Sequence, residues 1–383
     1  MKGVVSLDIT ITAKIQIYPN TNDIVLINDT ISQITKALNY ISDYVYKNKE
    51  FNQSKINKDL YYELRDKFNL KSQMAQSCMK TVIAKYKSAK SNNHDFTLIE
   101  FKKPEYDLVW NRDYSITKNT FSINTLNGRI KIPYEAKGMI KYFNPDYTFG
   151  TAKLVFKFNK FFLHIPVTKE FKELDFKIID KIVGIDLGIN FLATTYDSYG
   201  KTNFFNGREV KSYRGHLKDL RKQLQILKTS SSRSKIKSIG SRENRFVSDV
   251  NHQITKALVE QYGKNTLFVL EDLSSVRKAT EKVKVKDRYV SVSWTYYQFA
   301  QLLEYKAKIS GSIVIKVDAR YTSQQCPFCG HIEKSNRNKK THTFKCKSCS
   351  YTSNDDRIGA MNLWRKGFNY LEQLTKEDLG VNS

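Results

Sequence analysis

Ile182-Val183-Gly184-Ile185-Asp186-Leu187-Gly188 is a short apolar run with an acid in its middle. Such a run, bounded by polar residues, reads as a buried strand. An unpaired carboxylate inside it costs on the order of several kcal/mol. Asp186 therefore needs a cation or hydrogen-bond donors, unless it sits at a strand edge and caps a turn. Gly184 and Gly188 flank it and leave room for a phosphate or a metal. Leu267-Phe-Val-Leu-Glu271-Asp272-Leu273 has the same form, a buried strand closed by an acid. Successive strand side chains face opposite ways, so only one of Glu271 and Asp272 can join Asp186. The alternative for this pair is an exposed strand end.

A third acid, Asp356, lies in Ser353-Asn-Asp-Asp-Arg-Ile-Gly-Ala-Met-Asn362 near the start of a predicted helix. Asp356, Ala360 and Leu363 share one helical face. Gly359 and Ala360 are small, which lets that face approach a sheet. Asp355 and Asp356 also suit a helix N-terminus, and Asp355 fits that role better. Three carboxylates converging on one point repel unless divalent ions sit between them. Two such ions, about 4 Å apart, activate a water and stabilise the leaving oxygen of a phosphodiester. Oxygen ligands favour Mg²⁺ or Mn²⁺.

Just before this helix, Cys326-Pro-Phe-Cys329 and Cys346-Lys-Ser-Cys349 are separated by sixteen residues. That spacing reads as a Cys₄ zinc ribbon. Four thiolates leave no open coordination position, so the zinc is expected to be structural. His331 and His342 lie nearby but are not needed as ligands. Cys78 stands alone in an apolar helical pattern and reads as a core residue. This usage suits a reducing compartment.

The remaining chain supplies the architecture. Residues 4–17 read as a strand, 28–92 as helices, and 96–170 as short strands. Ile31, Ile34, Leu38, Ile41 and Val45 keep helical spacing, as do Met74, Cys78, Val82 and Tyr86. Asn127-Gly128 and Asn159-Lys160 look like hairpin turns. The simplest arrangement is a β-barrel interrupted by a helical insertion. After a charged linker, Glu173 to Asp180, comes a strand over 182–187 and a hairpin to 208. A basic helix (209–228), a Ser/Lys loop (229–238), a helix (242–261) and a strand (266–271) follow. A charged loop (274–290), a helix (294–310) and a strand (312–317) complete an α/β or α+β sheet domain.

The chain carries 64 Lys and Arg against 38 Asp and Glu, a formal charge of +26 over 383 residues. So large a charge favours a polyanionic partner, and nucleic acid is the natural one. No apolar run reaches the roughly 18 residues of a spanning helix. Asp8 falls too early for a signal peptide. Residues 201–250 hold 13 Lys and Arg against 4 Asp and Glu. Arg214, Lys218, Arg221, Lys222, Arg242 and Arg245, with Lys339 and Lys340 of the ribbon loop, are the candidate phosphate contacts. A solvated charged face is the plainer account of the same run.

At these residues the chain resembles the TnpB family, transposon-encoded RNA-guided nucleases related to miniature type V CRISPR effectors. Val183-Gly-Ile-Asp-Leu-Gly188 followed by Phe191-Leu-Ala-Thr resembles a first RuvC motif. Phe268-Val-Leu-Glu-Asp-Leu273 resembles the second and Asp356-x₅-Asn362 the third. Trp294, Phe299, Leu303-Glu-Tyr-Lys-Ala307, Val317-Asp-Ala-Arg-Tyr-Thr-Ser-Gln324 and Asn244-Arg-Phe-x₂-Asp249-x-Asn-His252 add to the likeness. The N-terminal half matches only in architecture. Three positions depart from the family pattern: Gly359 for the usual Ala, Ile358 for a common Asn, and Ser350 for a frequent Gly.

The resemblance implies an α+β multidomain fold. A wedge-like β-barrel would span 1–27 and 93–172, with a helical recognition insertion at 28–92. A C-terminal RNase H-like (RuvC) domain would span 178–318 and 353–370, with an inserted zinc ribbon at 319–352 and a tail at 371–383. It implies Asp186, Glu271 and Asp356 as catalytic Mg²⁺ (or Mn²⁺) ligands, and Cys326, Cys329, Cys346 and Cys349 as Zn²⁺ ligands. It further implies a guide RNA from a transposon end, double-stranded target DNA cut beside a short motif, a monomer with one RNA, and a prokaryotic cytoplasmic, nucleoid-associated setting. A guide-free DNA-binding repressor or transposition accessory, a miniature CRISPR effector and a DDE-type transposase are the competing expectations.

Overall fold

A computed structural model describes residues 7–102, 106–157, 159–171, 174–272 and 296–378. The chain divides into two compact units, 1–171 and 172–383.

In the first unit, β1 (Leu7–Ile17) runs antiparallel to β8 (Lys160–Phe171) along its whole length, Leu7 opposite Phe171 and Ile17 opposite Phe161. Between them lie β2 (Tyr106–Leu108), β3 (Tyr114–Ile116), β4 (Thr120–Thr125), β5 (Gly128–Glu135), β6 (Thr148–Phe149) and β7 (Ala152–Lys157). The sheet order is β2-β7-β8-β1-β5-β4-β3, with β6 also on β8. A bridge from Trp110 to Tyr114 links the two ends of that order, so the sheet is a nearly closed barrel.

Three helices are inserted after β1: α1 (Thr21–Asn48), α2 (Gln53–Lys67) and α3 (Ser72–Ser91). The first begins seven residues earlier than its apolar spacing suggests, because Asn20 and Asp23 form a reciprocal cap there. Its Ile31, Ile34, Leu38, Ile41 and Val45 are all buried, as are Met74, Cys78, Val82 and Tyr86 of α3. Burial pushes the Cys78 thiol up to about 12, as suits a core sulfur rather than a nucleophile. The β4–β5 turn falls where Asn127-Gly128 predicts, with Gly128 at φ +125°. Lys157 pairs with Lys160, so the next turn sits one residue earlier than predicted, with Asn159 at φ +58°.

The second unit is built on the sheet β11-β10-β9-β12-β13. Its strands are β9 (Lys181–Asp186), β10 (Phe191–Asp197), β11 (Thr202–Asn206), β12 (Thr266–Glu271) and β13 (Ile313–Val317). The hairpin side is antiparallel, whereas β12 is parallel to both β9 and β13. Side-chain alternation sorts the strands between two layers. Val183, Ile185, Phe268 and Leu270 pack with Val247, Ile254, Leu258, Phe299 and Leu303. These come from α5 (Ser230–Tyr262) and α6 (Tyr296–Ile309), and α4 (Arg208–Leu227) adds Val210. On the other face Ile182, Leu267 and Val269 pack with Leu363 of α7 (Asp355–Asp378). A Cβ on Gly184 would collide with the backbone of Ala360 and Trp364, so this glycine sets how close α7 lies to β9.

The Ser/Lys stretch expected to be a loop is helical. A single helix, α5, starts at Ser230, capped by the Thr229 side chain, and absorbs both the loop and the helix predicted at 242. The Ser232 amide and hydroxyl both bond to Thr229, so serines that usually favour loops here make the first turn. The predicted charged loop at 274–290 and Trp294 lie outside the described residues. A three-stranded sheet, β14 (Arg337–Asn338), β15 (Thr343–Lys345) and β16 (Thr352–Asn354), completes the unit.

Candidate metal centre

Asp186 ends β9 and shares the parity of Ile182 and Gly184, so it belongs to the α7 face. Glu271 ends β12 with the parity of Leu267 and Val269, again on that face. The last register pair of the two parallel strands is Leu270 with Ile185, so Glu271 and Asp186 are the next neighbours along. Asp272 is exposed, as the alternation demands. Asp356 comes from the first turn of α7, where Asn354 Oδ1 accepts from the amides of Asp356 at 3.0 Å and Arg357 at 3.1 Å. One turn on, a Cβ at Gly359 would lie 2.8 Å from Asp186 Cγ, so the helix backbone itself walls the Asp186 carboxylate.

The electrostatics bring Glu271 and Asp356 within reach of Asp186. Burial, then Glu271 and Asp356, hold the Asp186 carboxyl well above the usual carboxylate range, with Arg337 opposing. Burial raises Glu271, while the Thr322 hydroxyl, which donates to Oε1, and Lys366 and Arg337 pull it down. Burial and then Asp355 raise Asp356 against Arg337 and His342. The Tyr296 phenol is pushed up to about 12 by burial and by the Asp186 and Glu271 charges. Among the described residues, ligand atoms lie mutually within 4.8 Å in two groups: the four cysteines, and His342 with Asp355 and Asp356. Asp186 and Glu271 stand outside those groups. A cluster of crowded carboxylates with raised pKa values and all-oxygen donors fits a hard divalent ion.

For several residues of this site the sequence does not reveal the partner they hold. Thr322 is buried and holds Glu271. The buried Asn362 amide donates to the Thr322 carbonyl at 2.7 Å and the Gln325 carbonyl at 2.8 Å, tying α7 to the loop that carries Thr322. Arg337 Nε donates to Asp355 Oδ2 at 2.8 Å, and its NH2 lies 3.7 Å from Asp356 Oδ1. Asp355 is therefore not merely a charge favouring a helix end. It is fully buried and ion-paired, because the ribbon folds over this turn of α7.

In the ribbon, Cys326 and Cys349 sulfurs are 3.6 Å apart, and so are those of Cys329 and Cys346. A tetrahedron with arms of about 2.3 Å has edges near 3.8 Å, so the four thiols fit zinc. The two halves have the same form. The Cys326 amide donates to His331 and the Cys346 amide to Tyr351, each at 2.9 Å, with Gly330 and Ser350 in left-handed conformations at φ +77° and +62°. A backbone amide at His331 helps lower the Cys329 thiol to about 7.

The basic candidates separate into two kinds. Arg214 is buried, and its Nε donates to Glu243 Oε1 at 3.0 Å; Arg221 pairs with the other oxygen of Glu243. These two arginines join α4 to α5 through Glu243, a structural role that the phosphate-contact expectation did not include. A helical-face count could not reveal this, because Glu243 lies on a different helix. Lys218 is half-buried, whereas Lys222, Arg242, Arg245, Lys339 and Lys340 are exposed.

Residues 164–280 match a family described as a probable transposase, and residues 296–363 match the Cas12f1-like TNB domain. A CRISPR-associated endodeoxyribonuclease Cas12f1 of Sulfoacidibacillus thermotolerans is 30% identical over 54% of this chain and 50% of its own. The Cas12f1 of Syntrophomonas palmitatica is 29% identical over 45% of this chain and 36% of its own. A TnpB-like protein of Methanocaldococcus jannaschii is 29% identical over 50% of this chain and 70% of its own. The chain thus spans half or less of the length of the two Cas12f1 relatives. A Cas12f1–guide RNA–target DNA complex contains a chain of similar fold, with TM-score 0.53 and 14% identity over 94% of this chain and 98% of that one. The resemblance to the TnpB family is borne out by these matches. The fold is α+β and similar to that of Cas12 effectors.

Proposed function

We propose that the protein is an RNA-guided DNA endonuclease of the TnpB type, with a RuvC-like centre formed by Asp186, Glu271 and Asp356. One observation carries this reading: acids from β9, β12 and α7 meet, and Glu271 and Asp356 add to burial in raising the buried Asp186 carboxyl. Such an arrangement is unfavourable for a scaffold and useful for a metal-dependent nuclease. Two divalent ions there, Mg²⁺ or Mn²⁺, would supply an activated water and stabilise the leaving oxygen of a phosphodiester. Asp186, Glu271 and Asp356 offer the oxygens. Thr322 donates to Oε1 of Glu271 and so holds its carboxylate in place. The absent side chain at Gly359 leaves room for the Asp186 carboxylate itself.

The domain assignment follows the same reading. The barrel of 1–27 and 93–172 is a wedge and 28–92 a helical recognition insertion, and this N-terminal lobe reads a short motif beside the target. Residues 178–318 and 353–370 are the RNase H-like nuclease, and 319–352 is a zinc ribbon that contacts target nucleic acid. Guide–target pairing supplies the sequence specificity. Lys218, Lys222, Arg242, Arg245, Lys339 and Lys340 neutralise phosphates of RNA or DNA.

The test is Asp186→Ala. Cleavage of matched DNA in Mg²⁺ falls by at least 10³-fold, on the order expected when a metal ligand is lost, while RNA and DNA binding remain. Cutting retained by that variant sinks the assignment. Relatives of both the TnpB-like and Cas12f1 kinds match the chain. Flanking transposon ends or a neighbouring repeat array distinguishes those two genetic settings.

A further inference from the structure

We propose that His342, Asp355 and Asp356 form a mixed nitrogen–oxygen ligand set for a divalent ion of the Mn²⁺ class, beside the three-acid centre. The inference rests on the metal-dependent reading of that centre and adds a ligand of a different chemistry. His342 precedes β15 in a left-handed conformation, φ +52°, uncommon for a residue with a side chain. That backbone turns its ring under the first turn of α7. Nδ1 is buried without a hydrogen-bond partner, 3.6 Å from Oδ1 of Asp355, which is also buried and without one. A buried polar atom left unsatisfied is destabilising. A cation between them satisfies both. Ligand atoms of His342, Asp355 and Asp356 all lie within 4.8 Å of one another, a span one ion can bridge.

The charge balance points the same way. Among the described residues, Arg337 and Lys366 are the fixed cations that oppose Asp186, Glu271 and Asp356. Arg337 takes Oδ2 of Asp355 and leaves Oδ1. An imidazole nitrogen among carboxylates selects Mn²⁺ over Mg²⁺, which takes oxygen ligands. The far ring nitrogen, Nε2, lies 2.6 Å from the Asn190 side-chain amide, whose oxygen accepts from Lys211 at 3.0 Å. Coordination through Nδ1 places the ring proton on Nε2, so Asn190 must turn its oxygen to the ring. The two ends of an amide exchange by a simple flip, and the exposed Lys211 gives up little. Asn190 then fixes the tautomer, as outer partners of ligating histidines commonly do.

The experiment is a Mn²⁺ titration of the full-length zinc-loaded protein followed by pulsed electron paramagnetic resonance. A nitrogen coupling is expected that changes on ¹⁵N-histidine labelling and disappears in His342→Gln. Mn²⁺ affinity should fall on the order of ten-fold in that variant, with Mg²⁺ affinity nearly unchanged and zinc content retained. If His342→Gln fails to fold, His342→Ala regains the coupling on addition of imidazole. Mn²⁺ bound with oxygen couplings alone overturns the proposal and leaves the three-acid centre standing. A coupling that persists in His342→Gln, or fails to return with imidazole, also overturns it. No Mn²⁺ binding at all overturns both.

Discussion

At the scale of single residues, Gly359 is the most informative departure from the family pattern. Its missing side chain leaves the space that the Asp186 carboxylate fills. Gly359→Ala should raise helix stability by up to about 1 kcal/mol through propensity, yet lower cleavage ten-fold or more (roughly 1.4 kcal/mol or above) by displacing Asp186. Thermal melts and Mg²⁺-dependent cleavage on the same preparation test this. A variant that cleaves normally removes Gly359 from the account. The acids also make a pH prediction for the metal-free protein. Their folded-state pKa values are raised, so the native state binds more protons than the unfolded one, and stability falls as pH rises. The loss begins above about pH 4, the usual carboxylate range, and grows as pH passes through the raised values. Added Mg²⁺ should oppose it. Asp186→Asn should flatten this slope relative to wild type in melts from acid to neutral pH; an unchanged slope contradicts the crowding of charge.

At the scale of elements, the α4–α5 pair separates structural from binding charge. Arg214→Ala leaves Glu243 buried with one partner fewer and should destabilise by about 3–5 kcal/mol. Lys222→Ala should leave the melt unchanged and reduce the salt slope of nucleic-acid binding by about 1. Denaturant melts and salt-dependent binding check both, and equal stability losses refute the distinction. The same pair shows what the sequence could and could not reveal. Apolar spacing placed the buried faces of α1 and α3, and strand alternation placed Asp186 and Glu271 on one face, because both are local periodicities. The pairing of Arg214 with Glu243, of Thr322 with Glu271 and of Arg337 with Asp355 joins residues 18 to 51 positions apart. No local pattern encodes such a partnership. The helical Ser230 region misled for a related reason: its serines satisfy the cap of α5, which propensity alone assigns to a loop.

At the scale of the whole molecule, the charge of +26 and the acid-lined centre make opposite demands on solvent and ions. Exposed lysines and arginines call for phosphate, and the carboxylates call for divalent metal. A nucleic acid threaded past a metal-loaded centre satisfies both at once, which is why the proposed activity joins them. The most direct measurement is RNA sequencing of the protein purified from cells that also carry its native flanking DNA, followed by cleavage in Mg²⁺ of a plasmid matched to the RNA found. The account predicts one abundant RNA ending in a variable segment, and cutting only of the plasmid that pairs with it. Folded, zinc-loaded protein that carries no RNA and binds DNA without cutting it contradicts the account.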